Sequence, residues 1–301
     1  MRFDYFVGVD WSGARGAAHK GIAVFVCEPG QEVPVKYPPP DNKQAFSRAD
    51  VMALLIALSK RGRVLGGIDF AFAYPVDEAG HYFPNLKEGT QPQTAHHLWS
   101  LIDDVSGDGG DGGDYYGGLI WDHPLYGAYY NAPGGRKGAL FQSRRRQTEQ
   151  VAAAVKSPSP TFNCVGPAGV GTGSLAGMRM CHALSCRAAI WPFTAPLAAD
   201  KPSGLTLVEI FPSYYFKMGG VTPVKGAQAQ KENLNKALAY FGTNQVAGDF
   251  IAAGPDNDDA DALISSAALR HFSSDKMMWR VPEIARREGW IFGVRSDKTP
   301  S

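Results

Sequence analysis

Residues 5–11, YFVGVDW, decide how this chain is read. A short apolar run halts on Asp10, and Ser12-Gly13 follow, which is the pattern of a buried strand ending at an acid and a turn. Working outward, 20–27, KGIAVFVC, reads as a second strand, joined to the first by a turn around Gly13–Gly16. Residues 33–37, VPVKY, read as a weaker third strand, closed by the prolines of 38–40. Residues 48–61, RADVMALLIALSKR, carry apolar residues at helical spacing. RVLGGIDFAFAYP, 63–75, is a strand whose polar exception is Asp69, and LTLVEIF, 205–211, is another with Glu209 near its end. Helices are predicted at about 174–189, 228–241 and 258–272, and 289–294, GWIFGV, is a short apolar ending. Short turns join antiparallel neighbours, whereas helical crossovers join parallel ones. The order therefore predicts an α/β fold with a mixed central sheet and helices on both faces. Residues 76–165 read as an insertion or lid within a single domain, 1–301, and include a Gly/Asp-rich loop at 103–118.

Composition narrows the function classes. The 301 residues are 44% hydrophobic and 20% charged, which excludes a disordered chain. A net charge of +1 excludes a general basic coat, so any nucleic-acid contact must come from a local patch. The four cysteines form no C-x-x-C pair, against a structural zinc site. No run of about 18 apolar residues exists to span a membrane. Asp4 and Asp10 interrupt the N-terminal apolar stretch, unlike a signal peptide. The expectation is a reduced, cytoplasmic protein with no membrane partner.

Three acids stand out because each sits within or at the end of a strand that otherwise reads as buried: Asp10, Asp69 and Glu209. An unpaired buried carboxylate costs several kcal/mol or takes up a proton. Sites in open α/β sheets lie beyond the carboxyl ends of the strands, where Asp10 and Asp69 fall. The plain alternative is that each acid accepts backbone N–H bonds in the next turn. A fourth element is DNDDADALISSAAL, 256–269. Asp258 and Asp261 are three apart and share a helix face, which Ile264 and Ala268 continue toward the sheet. Complementing the helix dipole explains Asp256, Asp258 and Asp259. It explains Asp261 poorly, since that residue lies on the apolar side. Carboxylates converging from strand ends and one helix make a hard-oxygen site suited to Mg²⁺ or Mn²⁺. Two such ions about 4 Å apart activate a water and stabilise the leaving oxygen in phosphodiester hydrolysis.

The ordered set GVDWSG, GIDFAFAYP, GPAGVGTGSLAGMRM, VEIFPS, DDADALISSAAL and EGWIFGV resembles the family called domain of unknown function 429 over most of the chain. Members of that family are predicted to be nucleases of RNase H-like fold. The last helix also resembles the RuvC resolvase pattern of two acids three apart before Ala-Leu. The resemblance implies a five-stranded sheet, three antiparallel strands followed by two parallel ones. It implies Asp10 as central metal ligand, Asp69 as second acid, and Asp261 with Asp258 as the acids of the last helix. Glu209 belongs to a motif of this family rather than of RNase H-like enzymes at large, and enters the catalytic set on that ground.

Residues 136–146 hold Arg136, Lys137, Arg144, Arg145 and Arg146, five positive charges in eleven positions. They read as a phosphate-binding patch with Phe141, Tyr129 or Tyr130 for stacking, or as a solvated helix start pairing with Glu149. Arg144, Arg145, Arg146 and Ser12 are the candidate substrate contacts. Gly-rich 166–174 either cradles a phosphate ahead of a helix or lets strand and helix pack closely. It lacks the lysine of a P-loop. His96-His97 read as surface or packing histidines rather than ligands, and Ser12 and Ser213 lack a His/Asp context for hydrolase chemistry. The expected function is metal-dependent cleavage of nucleic acid. An actin-like or sugar-kinase-like ATP-binding phosphotransferase and a non-catalytic nucleic-acid-binding protein are the alternatives.

Overall fold

A computed structural model describes residues 2–298 apart from 41–42, 88, 108–114, 167–168, 225 and 255–256. In chain order the elements are β1 (Tyr5–Asp10), β2 (Ala23–Cys27), β3 (Val35–Lys36), α1 (Arg48–Ser59), β4 (Arg63–Ile68), α2 (Ala95–Ser106), β5 (Asn131–Ala132) and β6 (Arg136–Lys137). There follow α3 (Gln147–Ala152), α4 (Val170–Leu184), β7 (Ala189–Ile190), β8 (Gly204–Glu209), α5 (Pro212–Met218), α6 (Lys231–Tyr240), α7 (Asp258–Ser273) and α8 (Ala285–Glu288).

One mixed sheet of six strands runs in the order β3-β2-β1-β4-β8-β7. The first three strands pair antiparallel, and β1, β4, β8 and β7 are parallel. The expected sheet had five strands; the sixth is β7 at the parallel edge. The helix read as reaching 189 ends at Leu184, whose carbonyl accepts from Arg187 N at 2.8 Å and Ala188 N at 3.0 Å. That frees Ala189 and Ile190 to pair with Thr206 and Leu207.

Alternation along the strands builds a core on each face. A Cβ on Gly66 would stand 3.2 Å from Leu55 of α1, while one on Gly67 would stand 2.9 Å from Leu269 of α7. The two helices therefore cover opposite faces of β4. Val7, Val9 and Val64 pack toward α1, and Phe6, Leu65 and Val208 toward α7. A Ser47–Asp50 capping box starts α1, satisfying two backbone N–H groups reciprocally. Helix α7 is buried on nearly all sides, which is why its apolar periodicity is broad.

The Gly/Asp-rich loop begins later than expected, because Asp103–Ser106 complete α2; its centre, 108–114, lies outside the described residues. Among the described residues no helix is long and apolar enough to cross a membrane.

Candidate functional site

Parallel pairing of β1 with β4 aligns Val9 with Ile68, so Asp10 and Asp69 leave the sheet side by side. Asp69 N donates to Val9 O at 3.1 Å and holds this exit in place. What brings the third element over them is Gly8. A Cβ there would stand 2.2 Å from Ala262 O and 2.6 Å from Ser266 N, so α7 lies directly on the backbone of β1. Ser266 Oγ donates to Phe6 O at 2.8 Å and sets the register of helix on strand. The first turn of α7, with Asp258 and Asp261, then sits over the end of β1. Asp258 comes close enough to Asp10 to act on its carboxyl.

The consequence is a concentration of like charge. Burial, and then the charges of Asp261, Asp69 and Asp258, hold the Asp10 carboxyl well above the usual range. Burial and Glu209 push Asp69 up to about 8. Burial, Asp69 and Asp258 raise Asp261, against one hydrogen bond from Gln228 Nε2 to its Oδ1 at 3.3 Å. Among the described residues, none of the groups acting on these three acids is a cation. Gln228 is buried and accepts from Asn257 Nδ2 at 3.3 Å, so it orients Asp261 from the side. Sequence reading placed it inside a helix; α6 begins only at Lys231, and the loop before it carries Gln228 to the site. Asp259 points elsewhere, bound by Lys36 Nζ at 2.8 Å and Ala253 N at 3.0 Å. Asp256 lies outside the described residues.

Glu209 ends β8 beside Asp69 but has a different environment. Arg146 grips both its oxygens, with Nη1 to Oε2 at 2.7 Å and Nη2 to Oε1, and Phe72 N adds 3.0 Å to Oε2. The same guanidinium reaches Glu149 Oε1 through Nε at 2.8 Å. Arg146 and Glu149 are each 1% exposed and Glu209 3%, so one cation binds two anions in the interior. Burial opposes the charge of Arg146, and the two glutamates outweigh it. Removing one partner of a buried ion pair costs about 3–5 kcal/mol, because the other stays charged and unsolvated. Arg146→Met is therefore expected to lower the urea midpoint by that equivalent. Arg146→Lys should recover little, since a point charge cannot replace the fork. Midpoints like wild type for both variants would show that the pair carries no stability.

Between these elements a cleft of about 400 Å³ opens beyond the strand ends, with Trp11, Gly13, Asp69, Phe211, Gly169 and Gly173 on its walls. Its glycine-rich wall is the start of α4, which begins at Val170, earlier than predicted. A Cβ on Gly171 would stand 2.6 Å from Cys164 Sγ, and one on Gly13 would stand 2.3 Å from Gly173 N. Close packing is thus one reason for these glycines. Residues 167–168 of this stretch lie outside the described residues.

The arginine run does not form one shared surface. Arg146 is interior. Arg144 donates to Tyr82 O at 2.7 Å and lies over the Phe162 ring at 5.4 Å. Arg145 donates to Ser157 Oγ at 2.7 Å and Pro158 O at 2.5 Å. Tyr129 and Tyr130 are buried, bonded to Pro84 O and Tyr74 respectively, and present no stacking face. Neighbours far along the chain claim these groups, which a charge count cannot see. Arg136 and Lys137 remain exposed. Ser12 is half-buried and caps its own turn, its Oγ accepting from Ala14 N at 3.3 Å. His96 packs on Trp99 at 4.7 Å, and Ser213 sits in the first turn of α5. Compared with protein-family models, with curated proteins and with solved structures, the chain finds no match in any of the three.

Proposed function

We propose that the protein is a divalent-metal-dependent phosphodiester hydrolase acting on nucleic acid, with its carboxylates disposed on an RNase H-like sheet. The observation that carries this reading is the burial together of Asp10, Asp69 and Asp261 at the strand ends and the start of α7, each carboxyl raised by the charge of a neighbouring acid. Among the described residues no group of three or more His, Cys, Asp or Glu side chains already has metal-holding geometry. The fit lies in donor type: the four aspartates, Asp10, Asp69, Asp258 and Asp261, offer only carboxyl oxygens, and one of them, Asp69, lines the solvent-reachable cleft. These four aspartates would hold Mg²⁺ or Mn²⁺. When bound, such an ion supplies Lewis acidity toward the phosphate and eases deprotonation of water. Gln228 orients Asp261, Glu209 raises Asp69, and Arg146 keeps Glu209 in place. The cleft wall at the start of α4 turns a helix N-terminus toward anionic substrate.

Cleavage of labelled single- and double-stranded DNA, RNA, hybrid and a four-way junction tests the reading, with Mg²⁺ or Mn²⁺ and Asp10→Asn purified in parallel. Cleavage by wild type alone is the expected result; silence in every lane, or equal cleavage by the variant, overturns it. The glycine-lined cleft favours one second reading, an ATP-binding phosphotransferase, for which thermal protection by ATP without nucleic-acid cleavage is the signature.

The same carboxylates make stability depend on pH. A carboxyl whose pKa is raised on folding binds its proton more tightly in the folded state. That stabilisation is complete below about pH 4 and is lost as pH rises through about 8 for Asp69. The melting temperature without added metal is therefore expected to fall between about pH 5 and pH 8. Mg²⁺ should restore it most at the upper end, because an ion that binds only the folded state adds stability. Glu149 and Glu288, also raised by burial, contribute with the same sign. Asp69→Asn isolates the site, and should flatten the slope between about pH 6 and 8. An unchanged slope in that variant would assign the effect elsewhere.

A further inference from the structure

We infer that a track of cations and aromatic rings, from Arg15 through Tyr116 and Trp121 to Arg136 and Lys137, binds single-stranded nucleic acid beside the carboxylate site. This deepens the hydrolase reading by naming its substrate class, and it rests on that reading only for what happens at the track's end.

The track is built by α4. The turn that leaves Asp10 packs on the first turn of α4, with Trp11 Nε1 donating to Gly173 O at 3.1 Å. Tyr116 arrives at the same place because a Cβ on the next residue, Gly117, would stand 2.5 Å from Leu175 Cβ. Arg15 consequently lies over the Tyr116 ring at 5.7 Å. Tyr116 meets Trp121 edge to face at 6.0 Å, and Arg136 lies over Trp121 at 5.9 Å. Beyond it Lys137 lies over Phe141 at 5.6 Å. The hairpin β5–β6 that presents Arg136 and Lys137 is tied to the cleft wall. Its first residue, Asn131, accepts from Cys164 N at 2.9 Å and donates to Phe162 O at 3.1 Å, on the segment that runs into Gly166 and Gly169.

Three features suit unpaired bases on a phosphate backbone rather than a duplex. A depression of about 240 Å³ lies at Trp121, His123, Arg136 and Lys137, beside the ring and both cations. Two rings, Tyr116 and Trp121, lie between Arg15 at one end and Arg136 and Lys137 at the other, offering stacking faces flanked by charge, and each stacked base contributes appreciably. Arg15, Arg136 and Lys137 are all exposed, unlike Arg146. Arg15 is five residues from Asp10, so at most about 18 Å of chain separates the start of the track from the carboxylates. Among the described residues one acid lies on the path: Asp122, exposed, pairs with Arg136. An exposed pair of this kind is weak, so a phosphate competes with it.

Fluorescence anisotropy of labelled single-stranded DNA, single-stranded RNA and duplex DNA on the full-length Asp10→Asn protein tests the track with substrate intact. Single strands are expected to bind more tightly than duplex, and the DNA and RNA arms tell which sugar is preferred. Trp121→Ala should weaken single-strand binding about 5- to 150-fold, and Trp121→Phe should recover most of it. Arg136→Ala and Lys137→Ala should each reduce the salt slope by about 0.7. Asp122→Asn should tighten binding, which a purely structural role for the Asp122–Arg136 pair would not produce. Arg136→Glu, at an exposed position, serves if Trp121→Ala does not fold. Equal affinity across all variants, or preference for duplex, overturns the inference. The two readings fail separately. Loss of binding in the Trp121 and Arg136 variants while wild type cleaves nothing removes the hydrolase and keeps the track. Wild-type cleavage with unchanged KM in the track variants does the reverse.

Discussion

Replacing Asp10 by Asn is expected to abolish metal-dependent cleavage and, at the same time, to raise the melting temperature of the metal-free protein at neutral pH. The two effects have one cause. Asp10 stands where the charges of Asp261, Asp69 and Asp258 add to the cost of its burial. An amide keeps the shape and removes a negative charge, so the fold gains what the repulsion cost. Each kcal/mol recovered moves the midpoint by about 2–4 °C in chains near this size. The proposed reaction loses its central ligand, and the rate should fall by more than the roughly 10- to 100-fold that removing an outer partner of a metal costs. The thermal shift produced by Mg²⁺ in wild type should shrink with it. A variant that melts lower than wild type, or that still cleaves, would show that Asp10 is held by something other than like charge. Few structural residues combine a gain in stability with a loss of activity, which makes this pair of readouts discriminating.

Gly8→Ala is expected to cost at least about 3 kcal/mol, the upper end of overpacking effects, from the addition of one methyl group. The reason is what the methyl meets. Ala262 O at 2.2 Å and Ser266 N at 2.6 Å are backbone atoms of α7, and they cannot swing away as a side chain can. Either α7 lifts from β1 or β1 bows, and both move Asp258 and Asp261 away from Asp10. The variant should therefore lose the pH-dependent stability described above as well as urea resistance, and should show weaker Mg²⁺ protection even below its melting temperature. Urea unfolding at pH 6 and pH 8 checks both. A near-normal midpoint would mean that α7 sits further from the sheet than these distances place it. Ser266→Ala is the milder companion, losing the bond to Phe6 O for about 1 kcal/mol and leaving the approach intact.

Much of the scaffold was legible because its signals are local. Each apolar run that stops at an acid gives a strand its end, so Asp10 and Glu209 close strands and Asp69 follows one immediately. The three-residue spacing of Asp258 and Asp261 placed both in the first turn of α7. Short turns and helical crossovers then decided which strands run antiparallel and which parallel. The sixth strand escaped because two residues, Ala189 and Ile190, carry no period of their own. They are strand only because β8 lies alongside.

Charge was read less well, for a physical reason. Whether a charged side chain is solvated, paired or stacked depends on groups that approach from distant parts of the chain. Arg146 is 63 positions from Glu209, and nothing within 136–146 distinguishes it from Arg136. Gln228 reaches Asp261 across 33 positions, from a loop that propensity read as helix. Arg15 and Trp121 meet Tyr116 because two loops pack on the same turn of α4, each brought close by a glycine of its own, Gly13 and Gly117. The sequence by itself determined five of the six strands of the main sheet, their mixed pairing and the positions of the acids, because apolar periodicity acts over a few residues. The tertiary structure alone decided which charges are neutralised, which are crowded together and which face outward, because electrostatic energy is set by distance in space and by burial.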